Sequence, residues 1–339
     1  MPALSTANLT LLDLAKRTDP NGQIAKVVEI LEQQNEFLQF LTFIEGNLPT
    51  GHLTTIRTGL PAVTYTTINS GTNPSKSTTI QVSEQCARLE AYGEVDNRLV
   101  RLAKDKAAFR LSEEKPQIEA FAQEIARGLI FENATVNPER YTGLAPRYAT
   151  RNLATAANAE NVIHGGGSGS DNTSIWILTL GEETIHGLVP QGTTAGLAIN
   201  DKGLVTVEDV SNGLNRGRAE MWRTHYEQQV GLSVRDWRYG VRIANIDKSD
   251  LVPNPSVGGA NLPRLIFEGL NLIPNTSAGR TVILMSRFVR TRLGQQTAEG
   301  TTGSSLQAEN VGGIMRTTFQ GFPILRVDAL AADEALVPA

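Results

Sequence analysis

His164 heads the run HGGGSGS (164–170), and a histidine beside consecutive glycines fits an oxyanion loop, a phosphate cradle or a slack tether. An oxyanion loop of the hydrolase kind needs a G-x-S-x-G nucleophile elbow, because its serine must project from a tight strand-to-helix turn. GGSGS fails at its last position, and the lysine followed by Ser/Thr that a P-loop needs is missing. Gly/Ser-rich segments are most often flexible connectors, so the run is read as a tether. Cys86 is the only cysteine, which rules out a disulfide within the chain and a thiolate zinc site. His52, His164, His186 and His225 lack the i, i+4 spacing that sets two metal ligands on one helical face. The acid pairs Glu113–Glu114 and Glu182–Glu183 read as water-facing carboxylates rather than acid/base machinery. The expectation is no catalytic residue, no cofactor and no metal.

The arginine runs are more informative. Arg235, Arg238 and Arg242 lie in RDWRYGVR, and Arg287, Arg290 and Arg292 in RFVRTR. Alternate arginines along a strand share a face and suit bidentate pairing with carboxylates. An intersubunit row of ion pairs and a solvated face both fit that pattern.

The elements that must carry these residues sit in a chain of 339 residues, 40% hydrophobic and 19% charged, which suits a folded protein with more than one core. The net charge of −4 argues against a basic surface that grips DNA along its length. Nothing approaches the ~18 uninterrupted apolar residues of a membrane span, and the N-terminus lacks the pattern of a signal peptide. Synthesis in the cytoplasm is expected.

Periodicity predicts an amphipathic helix over 21–34 after an arm over 1–20, which docks elsewhere or frays. Thr-rich alternation over 53–67 and 77–92, around NSGTNPSK, reads as a long β-hairpin that leans on another subunit or on its own domain. Ile118, Phe121, Ala122, Ile125 and Leu129 predict a helix over 112–133, started by Ser112, Glu113, Glu114 and Pro116. SIWILTL (174–180) reads as a buried central strand with EETIHGLVP as its partner. A helix is predicted over 213–232 from Ala219, Trp222, Tyr226 and Val230, capped by Gly231. Strands follow at 235–246, 280–286 and 321–330, with a helix or loop at FVRTRLGQQTAE. The order is α+β, without regular βαβ alternation.

Taken in order, FIEGN (43–47), GHLTTIRTGLPAVTYTTINSGTNPSKSTT (51–79), LEAYGEVDNRL (89–99), IFENATVNPERYTGLAPRY (130–148), SIWILTLGEETIHGLVPQGTTAGL (174–197), GLSVRDWRYGVRIANI (231–246) and FQGFPILRVDAL (319–330) resemble the motif series of tailed-bacteriophage major capsid proteins with the Hong Kong 97 fold. The resemblance covers nearly the whole chain, and its strength lies in the order of the motifs. It implies an N-terminal arm and helix (1–48), an extended hairpin loop (49–92), a peripheral domain (93–204) with spine helix 112–133, an axial domain (205–300) and a closing segment (301–339). It implies a virion capsid subunit, made and assembled in the bacterial host cytoplasm, whose partners are its own copies in pentamers and hexamers. A separate scaffolding protein, a portal, a possible decoration protein and double-stranded DNA held without sequence preference are further implied partners, with no membrane. Intersubunit contacts are expected at Arg57, Lys76, Arg235, Arg238, Arg242, Arg287, Arg290 and Arg292. Some members of the fold join a hairpin Lys to an Asn by an isopeptide bond; Lys76 is in place, but no matching Asn or Glu stands out, and non-covalent overlap is expected. The acidic balance suits a wall that does not clamp packed DNA. Another ring- or tube-forming phage protein is the alternative reading, and a hydrolase the third.

Overall fold

A computed structural model describes residues 33, 35–193, 195–209, 217–255, 258–299, 306–311, 314–330 and 333–339. The expected arm (1–20) and, apart from Gln33, the expected helix over 21–34 lie outside the described residues. In chain order the first elements are β1 (Phe43–Glu45), β2 (Gly51–Gly59), β3 (Thr78–Asp96), α1 (Asn97–Leu102), α2 (Lys106–Phe131) and α3 (Leu144–Arg147). Next come β4 (Val162–His164), β5 (Asn172–Leu180), β6 (Ile185–Val189), β7 (Ala198–Asp209), β8 (Gly217–Val234) and β9 (Gly240–Asp247). The last are α4 (Leu262–Leu272), β10 (Arg280–Met285), α5 (Arg287–Glu299), β11 (Leu306–Val311), β12 (Ile314–Phe319) and β13 (Phe322–Arg326). The described residues divide into two compact units, one within 35–87, 126–195 and 230–339, the other of Gln33 with residues within 88–125 and 196–229.

The larger unit is built outward from β5. Every residue of that strand is buried, as its two apolar faces require. It pairs antiparallel with β9 on one edge and β10 on the other. Beyond β10 lie β13, β12 and β11. Leu262 and Ile266 of α4 and Val289 and Leu293 of α5 pack on Ile175, Ile177, Ile243 and Ile283 of this sheet. With β9 and β10 along most of both edges of β5, the expected partner EETIHGLVP does pair with it, but only at its end. Strand β6 meets β5 at Leu180↔Ile185 and forms its ladders with β8 and β1 instead.

The glycine run that reads as a slack tether is fastened along β9. Strand β4 runs parallel to β9, and the backbone continues from it: Gly165 N–H donates to Ala244 O at 2.7 Å, Gly167 N–H to Asn245 O at 2.8 Å and Gly169 N–H to the Asp247 carboxylate at 3.1 Å. A Cβ on Gly167 would stand 2.7 Å from the Asp247 backbone nitrogen, so the glycines serve close approach rather than freedom.

In the smaller unit, Val95, Leu99, Val100 and Phe109 form a core beneath Trp222. Residues 213–216 lie outside the described residues, and from Gly217 onward the helix predicted over 213–232 is strand β8, paired antiparallel with β7 from Ala198↔Glu227 to Asp209↔Gly217. The helical spacing of Ala219, Trp222, Tyr226 and Val230 loses to a ladder that engages the backbone along that length. Gly231 belongs to the strand, where a Cβ would meet Cys86 Sγ at 2.9 Å, and caps nothing. Helix α2 begins at Lys106 rather than at 112, because Asp105 Oδ1 accepts from Ala107 N–H and Ala108 N–H at 3.1 and 3.0 Å. Pro116 therefore lies inside the helix, not at its start.

Candidate assembly surfaces

The root of the hairpin is a buried polar knot. Register places His52 of β2 opposite Glu84 of β3. Both Glu84 oxygens accept from the Arg147 guanidinium, at 2.7 and 2.6 Å. His52 Nδ1 accepts from Asn47 N–H at 3.2 Å, and Arg235 Nη2 lies 3.3 Å from His52 Nε2. His186 of β6 approaches edge-on, with its ring centroid 6.4 Å from that of His52. Burial and then the Arg235 charge hold the His52 imidazole below its ordinary value, and the same causes push His186 down to about 4. Burial pushes the Cys86 thiol up to about 11, so it is neutral and unreactive at neutral pH.

Outward from this root the ribbon has little to rest on within its own chain. The register runs from Gly51↔Gln85 to Arg57↔Thr79 and is then broken by an irregularity between Arg57 and Gly59. Residues 60–77 form no strand, although the alternation at Val63, Tyr65 and Thr67 predicts one. Pro61 and Pro74 remove ladder donors there. Leu60, Val63, Tyr65 and Ile68 are 83%, 93%, 108% and 94% exposed. Arg57 and Lys76 flank them, both exposed and without an ion pair among the described residues.

The other predicted contact residues are scattered. Arg238 is exposed in the turn Trp237–Tyr239 and pairs with Asp236 at 2.6 Å, so Arg235, Arg238 and Arg242 do not line one strand face. Arg242 is buried in its own chain: it pairs with Glu334 at 2.8 Å, donates to Tyr148 O at 2.9 Å and lies over the Trp176 ring at 5.2 Å. Arg287, Arg290 and Arg292 belong to helix α5, where positions two apart point to nearly opposite sides. Arg287 is exposed, Arg290 donates to Thr317 Oγ1 at 3.1 Å and Arg292 lies over Phe288 at 5.2 Å.

Sequence reasoning missed Glu84, Arg147 and Glu334, which hold the root and the C-terminal segment. Glu334 also accepts from Ser174 Oγ at 2.8 Å, and Asn245 makes two hydrogen bonds to the Val337 backbone, at 2.8 and 3.0 Å. It missed as well a row of polar pairs in the smaller unit, the ion pairs Arg88–Glu227 and Arg223–Glu94 and the hydrogen bond between His225 and Glu90. Alternation of charge along ARLEAYGEVD carried a signal for this row, had 213–232 been read as a strand. No cluster of three or more metal-ligating side chains occurs among the described residues.

Residues 19–338 match the family model of major capsid protein GP7. A chain from the near-atomic cryo-EM structure of bacteriophage Epsilon15 superposes with a TM-score of 0.76 at 32% identity, over 99% of this chain and 100% of that one. The capsid of bacteriophage JBD30 aligns over 96% of each chain, at 10% identity and a TM-score of 0.43. The SrpI encapsulin complex of Synechococcus elongatus PCC 7942 aligns over 70% of this chain and 96% of that one, at 11% identity and a TM-score of 0.44. Those two are too remote to bear on function. No curated protein matches the chain in sequence. With a family match across nearly its whole length and a full-length relative of the same α+β, Hong Kong 97-type architecture, the chain belongs to the major capsid protein GP7 family and is a structural protein of the virion capsid.

Proposed function

We propose that the subunit closes into pentamers and hexamers that tile an icosahedral shell around double-stranded DNA, and that the hairpin loop is the principal bond between neighbours. The observation that carries this reading is the near-complete exposure of Leu60, Val63, Tyr65 and Ile68 at the end of a ribbon anchored at its root. Fully burying four such side chains contributes about 6 to 12 kcal/mol before the costs of docking. Repeated around a ring, heterologous contacts of this kind close a shell without covalent links. Arg57, Lys76 and Arg287 are exposed charges suited to the rim of these contacts; Arg235, Arg238, Arg290 and Arg292 are secondary candidates, and Arg242 is left out because it is spent within its own chain.

On this reading residues 1–48 are an arm reaching a neighbour, 93–204 a peripheral domain and 205–300 an axial domain meeting its copies at the symmetry centres, with 301–339 closing the core. A scaffolding protein, a portal and a decoration protein are its further partners, and the chain catalyses no reaction. Electron microscopy with light scattering on the chain expressed alone tests the reading. Closed shells or five- and six-membered rings support it. Tubes or one small ring would favour a tail or connector protein.

A further inference from the structure

The stretch NRLVRLAKDK (97–106) carries four cations, Arg98, Arg101, Lys104 and Lys106, against one acid, Asp105. All four cations are exposed. Elsewhere in the same unit, arginines have found carboxylates: Arg88 has Glu227, Arg110 has Asp201 and Arg223 has Glu94. None of the four makes an ion pair among the described residues. Asp105, which caps Ala107 and Ala108 at the start of α2, offsets one charge of the four. Leu99 and Val100 are buried in the core with Phe109, which fixes α1 and leaves Arg98 and Arg101 on its outer side, about 4.5 Å apart along the axis.

We propose that residues 98–106 form a phosphate-binding patch that lies against the double-stranded nucleic acid inside the shell, an inference that rests on the shell reading above. A chain of net charge −4 that keeps four unpaired cations within nine residues holds a local positive field at the cost of self-repulsion. A duplex presents one negative charge per ~1.7 Å of its axis and matches such a field without specific geometry. A second copy of the chain matches it less well. Its adjacent exposed carboxylates without ion pairs, among the described residues, are Glu182 and Glu183, half the charge required.

The test compares two full-length variants with the same change in net charge: R98Q/R101Q/K104Q/K106Q, and a control, K115Q/K202Q/R218Q/R264Q, which removes exposed cations elsewhere. Binding to a short fluorescent duplex DNA of random sequence is followed by anisotropy over a range of salt, and each variant is examined for shells by electron microscopy. The patch variant is expected to bind at least about tenfold more weakly, with the slope of log K against log salt reduced by up to about 3.6, while the control binds within about twofold of wild type and both form shells. Equal losses in the two variants would reduce the effect to net charge and overturn the proposal, as would unchanged binding by the patch variant. Loss of shells with DNA binding intact would make the patch a protein contact and overturn it as well. If the wild-type chain itself forms neither shells nor five- and six-membered rings, the shell reading fails, and the affinity arm still decides whether the patch takes phosphate.

Discussion

Glu84 and Arg147, 63 positions apart in sequence, meet through two parallel hydrogen bonds of 2.7 and 2.6 Å at the point where the hairpin leaves the body of its unit. Glu84 is buried, and Arg147 also donates to Thr142 O at 3.1 Å. The pair aligns the innermost rungs of the ribbon, so the exposed end is carried on a fixed root.

Removing one partner should leave the other as an uncompensated buried charge. Arg147→Met is expected to cost about 3 to 5 kcal/mol in chemical denaturation, with Glu84→Gln somewhat less because it keeps part of the hydrogen bonding. The double variant should cost less than the sum of the two. Strict additivity would show that the residues do not act as a pair.

The fastened glycine run makes a prediction opposite to that of a tether. Gly167→Ala forces its Cβ within 2.7 Å of the Asp247 backbone and should cost at least about 2 kcal/mol. Gly71→Ala, at a position with nothing within 4 Å, should change stability by less than about 0.5 kcal/mol. Comparable thermal melts for the two variants would contradict the assignment.

Acid should weaken the hairpin root. His186 is pushed down to about 4 in the folded chain from an ordinary 6.5, so below 6.5 the unfolded chain binds the proton first. Stability is therefore fully present above pH 6.5 and falls as pH drops toward 4, by at most about 1.4 kcal/mol per pH unit for one group. Arg235 and the second imidazole His52, itself lowered, add to the burial of His186 in disfavouring its protonated ring, and the Gly181 backbone is the neighbour that favours it. His186→Asn should flatten the profile between pH 6.5 and 4. An unchanged profile would assign the acid sensitivity to other groups.

Much of the fold was legible because burial leaves a periodic trace. SIWILTL and RTVILM are apolar on both faces and are central strands, and Phe121, Ile125 and Leu129 mark the buried side of α2. The ordered motifs carried the family. Four features were illegible for separate physical reasons. Strand β8 has a spacing that fits a helix, and its partner β7 decides the matter from outside the segment. The glycine run looks slack because its purpose, contact with β9, lies more than seventy residues away. Glu84 and Arg147 give no local sign of each other, and Pro116 looks like a helix start although Asp105 supplies the cap.

The central claim, that the exposed hairpin end bonds neighbouring subunits, is tested most directly by negative-stain electron microscopy of wild type beside L60S/V63S/Y65S/I68S. These side chains touch little in their own chain, so the variant should melt at the wild-type temperature and yet remain as soluble subunits where wild type forms closed shells. Normal shells from the variant would contradict the account.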